Sequence, residues 1–198
     1  MIKQVPTLLT QAPAEKDRIT RLAAAATDMV RARDANRATG AVDALDAALR
    51  AIPDKAKAET AHVKEIAKKA ADALEQVGNA VTAGTDKLLK QVQAAYADHG
   101  FSGEVDKFFK THVQPAVRKL ADCGLDKQLK ALAGTDDPAE RAKLLKQSLS
   151  TIEALEKSMS TDPVFKMLDD NPFAPAKIAQ TTTAALEALK KTLQPLAA

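Results

Sequence analysis

The sequence has few of the residues from which active sites, disulfide frameworks and bulky cores are usually built. It contains one cysteine, three histidines and no tryptophan in 198 residues, and aromatic residues make up 3% of the chain. A single cysteine excludes an internal disulfide. No apolar run approaches the roughly 18 residues that a transmembrane helix requires. Alanine supplies much of the apolar fraction, so we expect a thin, closely packed core.

The charges are nearly balanced and show no strong local bias. The 29 basic and 26 acidic residues leave a formal charge of +3. Nucleic-acid modules usually concentrate basic residues on one face beside stacking aromatics, and this chain shows neither feature, so nucleic-acid binding is not expected. The apolar residues near the N-terminus, interrupted by Pro6, are too few for a Sec signal. We therefore expect a cytoplasmic location, with secretion by another route left open.

The apolar residues that are present recur at helical spacing. Together with the high content of alanine, leucine, lysine and glutamate, this spacing predicts an all-α fold. Residues 54–98 keep one apolar face in phase, which predicts a single long helix. The positions on that face are Val63, Ile66, Ala70, Leu74, Val77, Val81, Gly84, Leu88, Val92 and Ala95.

A second long helix is predicted for residues 14–52. Pro53 should end it, because the residue before a proline is disfavoured in the α region, and Asp54 can cap the next helix. A bend in the alanine-only middle of this helix, near Gly40, is the alternative. Because the connection at Pro53 is short, the two long helices should be antiparallel neighbours.

The predicted architecture is an elongated antiparallel helical bundle built on a long two-helix hairpin, residues 14–99. Four to five shorter helices, residues 101–198, should pack on the hairpin within the same domain. Residues 1–13 carry two prolines and no helical period, which predicts an extended N-terminal arm. Among the shorter helices, those after Asp137 and Asp162 have the clearest signals, since each begins with an acidic cap followed by proline.

One corner of the chain is rich in aromatic residues. Gly100 is expected to take the left-handed conformation that ends the long helix, and Ser102 to cap the next one, which Pro115 should kink near Thr111. Tyr96, Phe101, Phe108 and Phe109 all fall near this turn. Large side chains at a helix turn are usually a structural plug, so we expect burial of these four, with a ligand pocket as the alternative.

Asn171-Pro172-Phe173 resembles the short ligand of certain eukaryotic adaptor domains. The favoured interpretation is a turn whose Phe173 packs under the last helix, predicted for residues 176–194.

Catalytic and metal-binding patterns are incomplete. A di-metal bundle needs two Glu-x-x-His pairs, and Glu59-Thr60-Ala61-His62 supplies one. His112 and Cys123 lie about three turns apart on one predicted helix, too far to form a thiol–imidazole pair along it. The sequence therefore predicts no catalytic residue, no metal or cofactor and no small-molecule substrate.

These observations favour a non-enzymatic helical interaction or scaffold protein that binds another protein, or itself, through an elongated surface. The alternative is an amphipathic helical protein that binds a lipid or polymer surface, since lysines border the apolar stripe. These lysines are Lys64, Lys68, Lys69, Lys87 and Lys90. Under the first hypothesis, the partner binds either where small residues leave little packing between the two long helices or on the N-terminal arm. The candidate residues are Ala32, Ala35, Gly40, Gly78, Gly84, Val5, Leu8 and Leu9.

Overall fold

The computed structural model describes residues 15–32, 34–173 and 177–197, which are predominantly helical and include no β-strand. The all-α prediction is confirmed. The helices are α1 (Lys16–Arg31), α2 (Ala35–Ala95), α3 (Ser102–Phe108), α4 (Gln114–Ala121), α5 (Leu125–Gly134), α6 (Pro138–Thr161), α7 (Pro163–Asp169) and α8 (Ile178–Leu193). Within the described ranges, none of them combines the length and apolarity needed to cross a membrane. The predicted arm, residues 1–13, lies outside the described residues.

Contacts within the chain divide it into two compact units, Met1–Val63 and Lys64–Ala198. The boundary falls inside α2, so one helix contributes residues to both units. The sequence predicted one domain with a hairpin portion and a shorter-helix portion. The two units differ from those portions, because the second unit takes in the C-terminal part of the long helix.

The predicted helix end at Pro53 is wrong, because α2 continues through this residue. Proline cannot donate a hydrogen bond to the carbonyl of Leu49, which costs about 3 kcal/mol or more in a helix interior. Packing on both sides of the proline offsets this cost. Ile52 is buried in a small core with Ile19, and Leu49 and Ala56 pack against that core. Contacts with α1 therefore outweigh the local preference of the residue before proline.

The chain reverses between α1 and α2 instead. Asp34 caps α2, since its Oδ1 accepts a hydrogen bond from the amide of Arg37 at 3.1 Å. Ile19, near the start of α1, packs on Ala48 of α2, so these helices form an antiparallel hairpin within the first unit. The predicted hairpin paired residues 14–52 with residues 54–98 and is wrong, because residues 35–52 and 54–95 belong to the one continuous helix α2. The favoured single helix over residues 14–52 is therefore wrong. The interruption lies in its alanine-only middle, as the alternative proposed, although Gly40 itself lies inside α2.

The second unit is assembled from the rest of α2 and the shorter helices. α5 packs on α6, and α8 packs on both α6 and α7. Gly84 of α2 faces Ile178 of α8, and a Cβ at this position would lie 3.6 Å from Ile178 Cγ1, an ordinary contact distance. The largest fully buried apolar side chains of this unit are Leu125, Leu129, Leu132, Ile152, Leu168, Leu186 and Leu193.

The two acidic caps are confirmed. Asp137 accepts a hydrogen bond from the amide of Ala139 at 2.9 Å, and Asp162 accepts one from the amide of Val164 at 2.9 Å. Each aspartate is followed by proline at the first helical position, where the missing N–H group leaves no carbonyl without a partner. These local signals set the starts of α6 and α7.

The segment between α3 and α4 is a single π-helical turn, Phe109–Val113. Pro115 has no N–H group for the carbonyl of Thr111, so the irregularity lies where the sequence predicted it. Ser102 does not act as the predicted cap. It is the first helical residue, and the cap position belongs to Phe101 without a side-chain hydrogen bond.

Candidate binding groove

The second unit carries an apolar groove of about 590 Å³, which we call the aromatic groove. Its lining comes from three segments, within residues 88–96, 101–109 and 167–173. The first segment is the end of α2 and the residue after it. Leu88, Val92 and Tyr96 follow one another at four-residue spacing, and the amide of Tyr96 still donates to the carbonyl of Val92 at 3.1 Å, so the three share one face. Along this face exposure rises from buried Leu88 to exposed Tyr96, as the helix leaves the core.

The second segment begins at a backbone reversal. Gly100 takes φ +73°, the left-handed conformation that was predicted, and this brings Phe101 back beside the end of α2. The rings of Tyr96 and Phe101 meet edge to face, with centroids 6.5 Å apart. Further along, the rings of Phe108 and Phe109 meet in the same way at 6.2 Å. The reversal therefore brings Phe101 against Tyr96, and Phe108 and Phe109 line the same groove.

The third segment is the end of α7 and the turn after it. Asn171 shapes the turn, because its Oδ1 accepts a hydrogen bond from the amide of Phe173 at 3.0 Å while its Nδ2 donates to the carbonyl of Leu168 at 2.5 Å. The ring of Phe173 lies against Tyr96, with centroids 5.8 Å apart. The predicted turn is confirmed. Phe173 contributes to the groove, whereas the sequence analysis expected it to pack under the last helix.

Asp169 fixes the position of this third segment. Its two carboxylate oxygens accept hydrogen bonds from the amides of Ala179 at 2.9 Å and Gln180 at 3.0 Å, at the start of α8. An aspartate that ends one helix therefore caps the next, ten residues later. The bonds join the last residue of α7 to the first turn of α8, and the groove residues that follow Asp169 start from this fixed point.

We expect Asp169→Ala to lower the free energy of unfolding by about 1–2 kcal/mol, because two amides at the start of α8 lose their acceptor. Asp170→Ala is the matched control, since the Asp170 side chain makes no hydrogen bond within the described part of the chain. Urea unfolding followed by circular dichroism measures both. Equal losses in the two variants would show that the capping bonds contribute nothing.

The prediction that the aromatic corner is a buried plug is wrong for three of its four residues. Phe109 is 5% exposed and belongs to the core, but Tyr96, Phe101 and Phe108 are 38–53% exposed. Among the described residues of the second unit, the exposed large apolar side chains number five, and all of them line the aromatic groove. They are Tyr96, Phe101, Phe108, Met167 and Phe173. Sequence spacing alone could not show this, because buried and groove-lining aromatics have the same helical period.

The groove has little polar lining. Within the described ranges, Glu104 and Asp170 are the charged residues that line it, and Asn171 is the polar uncharged one besides the tyrosine hydroxyl. Neither carboxylate forms an ion pair or a side-chain hydrogen bond in the described part of the chain. The groove therefore offers a large apolar contact area with two unpaired negative charges.

The residues that sequence analysis proposed for partner binding are spread over the chain. Ala32, Ala35 and Gly40 are exposed residues of the first unit. Because α2 continues through Pro53, no turn at this residue brings the small residues on its two sides opposite one another. Gly84 is covered by Ile178, as described above. Val5, Leu8 and Leu9 lie outside the described residues, and binding at the other positions stays a prediction.

Gly78 borders a second, smaller cavity of about 390 Å³ within the second unit. A Cβ at Gly78 would meet no atom within 4 Å, so the glycine leaves open space there. Asp126 and Lys130 also line this cavity and form an ion pair of 3.0 Å, which raises the pKa of Lys130. Glu75 lines this cavity as well, but two of the three charged residues described in its lining pair with each other, so the cavity has less to offer a ligand than the aromatic groove.

The histidines and the cysteine are not brought together. His62 is exposed, His99 lies beside Tyr96, and the ring of His112 packs against Phe108 with centroids 5.1 Å apart. Cys123 is half-buried. In the part of the chain that the structure describes, no cluster of three or more histidine, cysteine, aspartate or glutamate side chains could hold a metal ion.

The fold and the groove define an all-α chain with an exposed aromatic groove. Comparison with protein-family models, with curated proteins and with solved structures gave no match for this chain.

Proposed function

We propose that this chain is a non-enzymatic helical interaction protein that holds an apolar segment of another protein in the aromatic groove. The observation that carries the proposal is the convergence of all five exposed large apolar side chains described in the second unit on one groove. Exposed apolar patches with aromatic and methionine side chains mark protein interaction sites, where such residues supply most of the binding energy.

The chemistry of the lining supports binding over catalysis. Serine, cysteine, threonine and lysine nucleophiles are activated by a neighbouring base or by a lowered pKa, while carboxylates and tyrosine can also act as nucleophiles. Within the described ranges, the lining contains none of the first four residue types and no histidine. What the groove supplies is apolar area, with polar groups confined to a few positions. The cytoplasmic location expected from the sequence is part of this proposal.

The aromatic groove is a different binding surface from the one predicted from the sequence. The earlier hypothesis used a stripe of small residues along two paired helices, and that pairing depended on a turn at Pro53. The groove instead depends on aromatic side chains that the chain brings together from residues far apart, such as Tyr96 and Phe173. An interaction protein remains the leading class, and its candidate surface is now the aromatic groove.

A displayed library of apolar-patterned helical peptides, selected against the full chain, tests the proposal. Selected peptides should bind the Phe101→Ser/Phe108→Ser variant at least about tenfold more weakly, since each serine removes an exposed aromatic anchor. Val42→Ser is the control, because Val42 is an exposed apolar residue of the other unit. The Val42→Ser variant should bind the selected peptides as tightly as the wild type does. Fluorescence anisotropy of labelled peptides measures all three.

Equal affinity of the wild type and the groove variant would overturn the proposal. Lipid binding, the alternative from the sequence, is tested by flotation of the same proteins with phosphatidylcholine vesicles. Two of the lysines on which that alternative relied are already paired, Lys64 with Asp136 at 2.7 Å and Lys69 with Glu65 at 2.7 Å. Flotation that depends on Phe101 and Phe108, without peptide binding, would favour the lipid alternative.

A further inference from the structure

The aromatic groove has a charge opposite in sign to that of the chain. The full sequence has a formal charge of +3. Glu104 and Asp170 give the groove a negative lining, and none of its described lining residues is basic. Lys107 and Lys166 lie on α3 and α7 but do not line the groove. A negative lining on a basic protein favours an occupant that carries positive charge.

Both carboxylates are available to such an occupant. Glu104 and Asp170 are exposed, and neither is neutralised by an ion pair within the described residues. They come from two different segments of the lining, so a ligand in the groove meets one negative charge from α3 and another from the residue after α7. Tyr96 and Phe101 add exposed aromatic rings, which attract lysine and arginine side chains through cation–π interactions.

The shape of the lining suits a helix. Leu88, Val92 and Tyr96 follow one face at the end of α2 over about 12 Å, at about 1.5 Å per residue. Two turns of a bound helix would cover about 11 Å. Amphipathic helices bind apolar grooves through anchors spaced three, four and seven residues apart. A helix of this length presents such a set of anchors to the lining.

We propose that the occupant of the aromatic groove is an amphipathic helix of another protein, with lysine or arginine residues flanking its apolar anchors. The apolar anchors enter the groove, and the flanking basic residues pair with Glu104 and Asp170. This inference rests on the proposed function and specifies the chemistry of the partner.

Four synthetic peptides of about 20 residues test the inference, a length at which a helix can form on binding. Three share the same leucine anchors and differ only in their flanking residues, which are lysine, glutamine or glutamate. The fourth is the lysine peptide with two central prolines, which prevent helix formation. Anisotropy of labelled peptides gives affinities at low and high salt. The chain has one tyrosine and no tryptophan, so the fluorescence of Tyr96 reports whether a peptide enters the groove.

We expect the lysine peptide to bind about tenfold more tightly than the glutamine peptide at low salt, and the difference to shrink at high salt. Glu104→Gln/Asp170→Asn should reduce the preference to about twofold while leaving the glutamine peptide unaffected. Asp86→Asn/Glu187→Gln removes the same charge from exposed positions outside the groove and should keep the preference. The proline-containing peptide should bind at least about tenfold more weakly, because its helix is broken.

Several results would overturn the inference. They are equal binding of the three flanking variants, tighter binding of the glutamate peptide, and undiminished binding of the proline peptide. A concentration-dependent dimer in light scattering, abolished by Phe101→Ser, would show that a second copy of the chain occupies the groove. If the library yields groove-dependent peptides without basic flanks, only this inference fails. If no peptide depends on Phe101 and Phe108, the proposed function fails as well.

Discussion

Replacing Phe109 with alanine is expected to lower the free energy of unfolding by about 3–5 kcal/mol. Phe109 is 5% exposed, so the substitution removes a buried ring and leaves a cavity in the π-helical turn. Urea unfolding of the full chain, followed by the fluorescence of Tyr96, measures the loss in the second unit, where both residues lie.

Phe108→Ala is the matched control for this prediction. The two phenylalanines are adjacent, but Phe108 is 41% exposed, so its truncation should cost less than about 1 kcal/mol. The contrast between neighbours separates a core residue from a groove residue. A loss below about 1 kcal/mol for Phe109→Ala would mean that the ring contributes little to the core.

Pro53→Ala is expected to raise the free energy of unfolding by about 1–3 kcal/mol. Alanine restores the amide that can donate to the carbonyl of Leu49 and removes the clash of the proline ring with that carbonyl. Part of the gain is offset because alanine gives the unfolded chain more conformational freedom. Circular dichroism during urea unfolding measures the change, and hydrogen exchange of the amides around residue 53 reports it locally.

Pro138→Ala supplies the comparison. Pro138 is the first residue of α6, where proline is favourable, so alanine should leave stability unchanged or lower it slightly. Replacing the proline inside a helix should thus raise the free energy of unfolding, whereas replacing the proline at a helix start should leave it unchanged or lower it. If Pro53→Ala were destabilising, the helix would end at Pro53, as the sequence alone predicted.

The starts of α6 and α7 could be predicted from sequence because their causes are local. Each aspartate–proline pair determines its helix start through hydrogen bonds to residues two positions away. The course of α2 could not be predicted in this way. The local preference for ending a helix before Pro53 competes with burial of Ile52 against Ile19, a contact between residues 33 positions apart in the sequence.

The turn before α2 was missed for a related reason. Asp34 is a recognisable cap residue, but it stands among arginines on a stretch whose apolar face is alanine only. Alanine buries little surface and gives no turn signal. The helical spacing of the alanines therefore ran unbroken through the position where the chain reverses. Asp34 itself is the sequence signal that could have located the turn, since an aspartate there can cap a new helix by accepting a hydrogen bond from the Arg37 amide.

The aromatic groove could be predicted only in part. The cluster of aromatic residues near Gly100 was visible in the sequence, and the left-handed glycine was correctly predicted. The exposure of Phe101 and Phe108 depends on which neighbours reach them, and no local pattern encodes that. Residues 167–173 reach the cluster through the packing of α7 and α8, so their part in the lining is a long-range property of the fold.

Because Asp169 caps α8, the lining residues Pro172 and Phe173 are candidates for substitution. The two bonds of Asp169 to Ala179 and Gln180 fix the start of α8 without using Pro172 or Phe173. The cap of α8 thus does not involve the side chains at those two positions. Grafting other residues at 172 and 173 offers a route to altered selectivity, with Asp169 left in place as the anchor. Natural variation at these positions would be free to follow a changing partner while the helices stay the same.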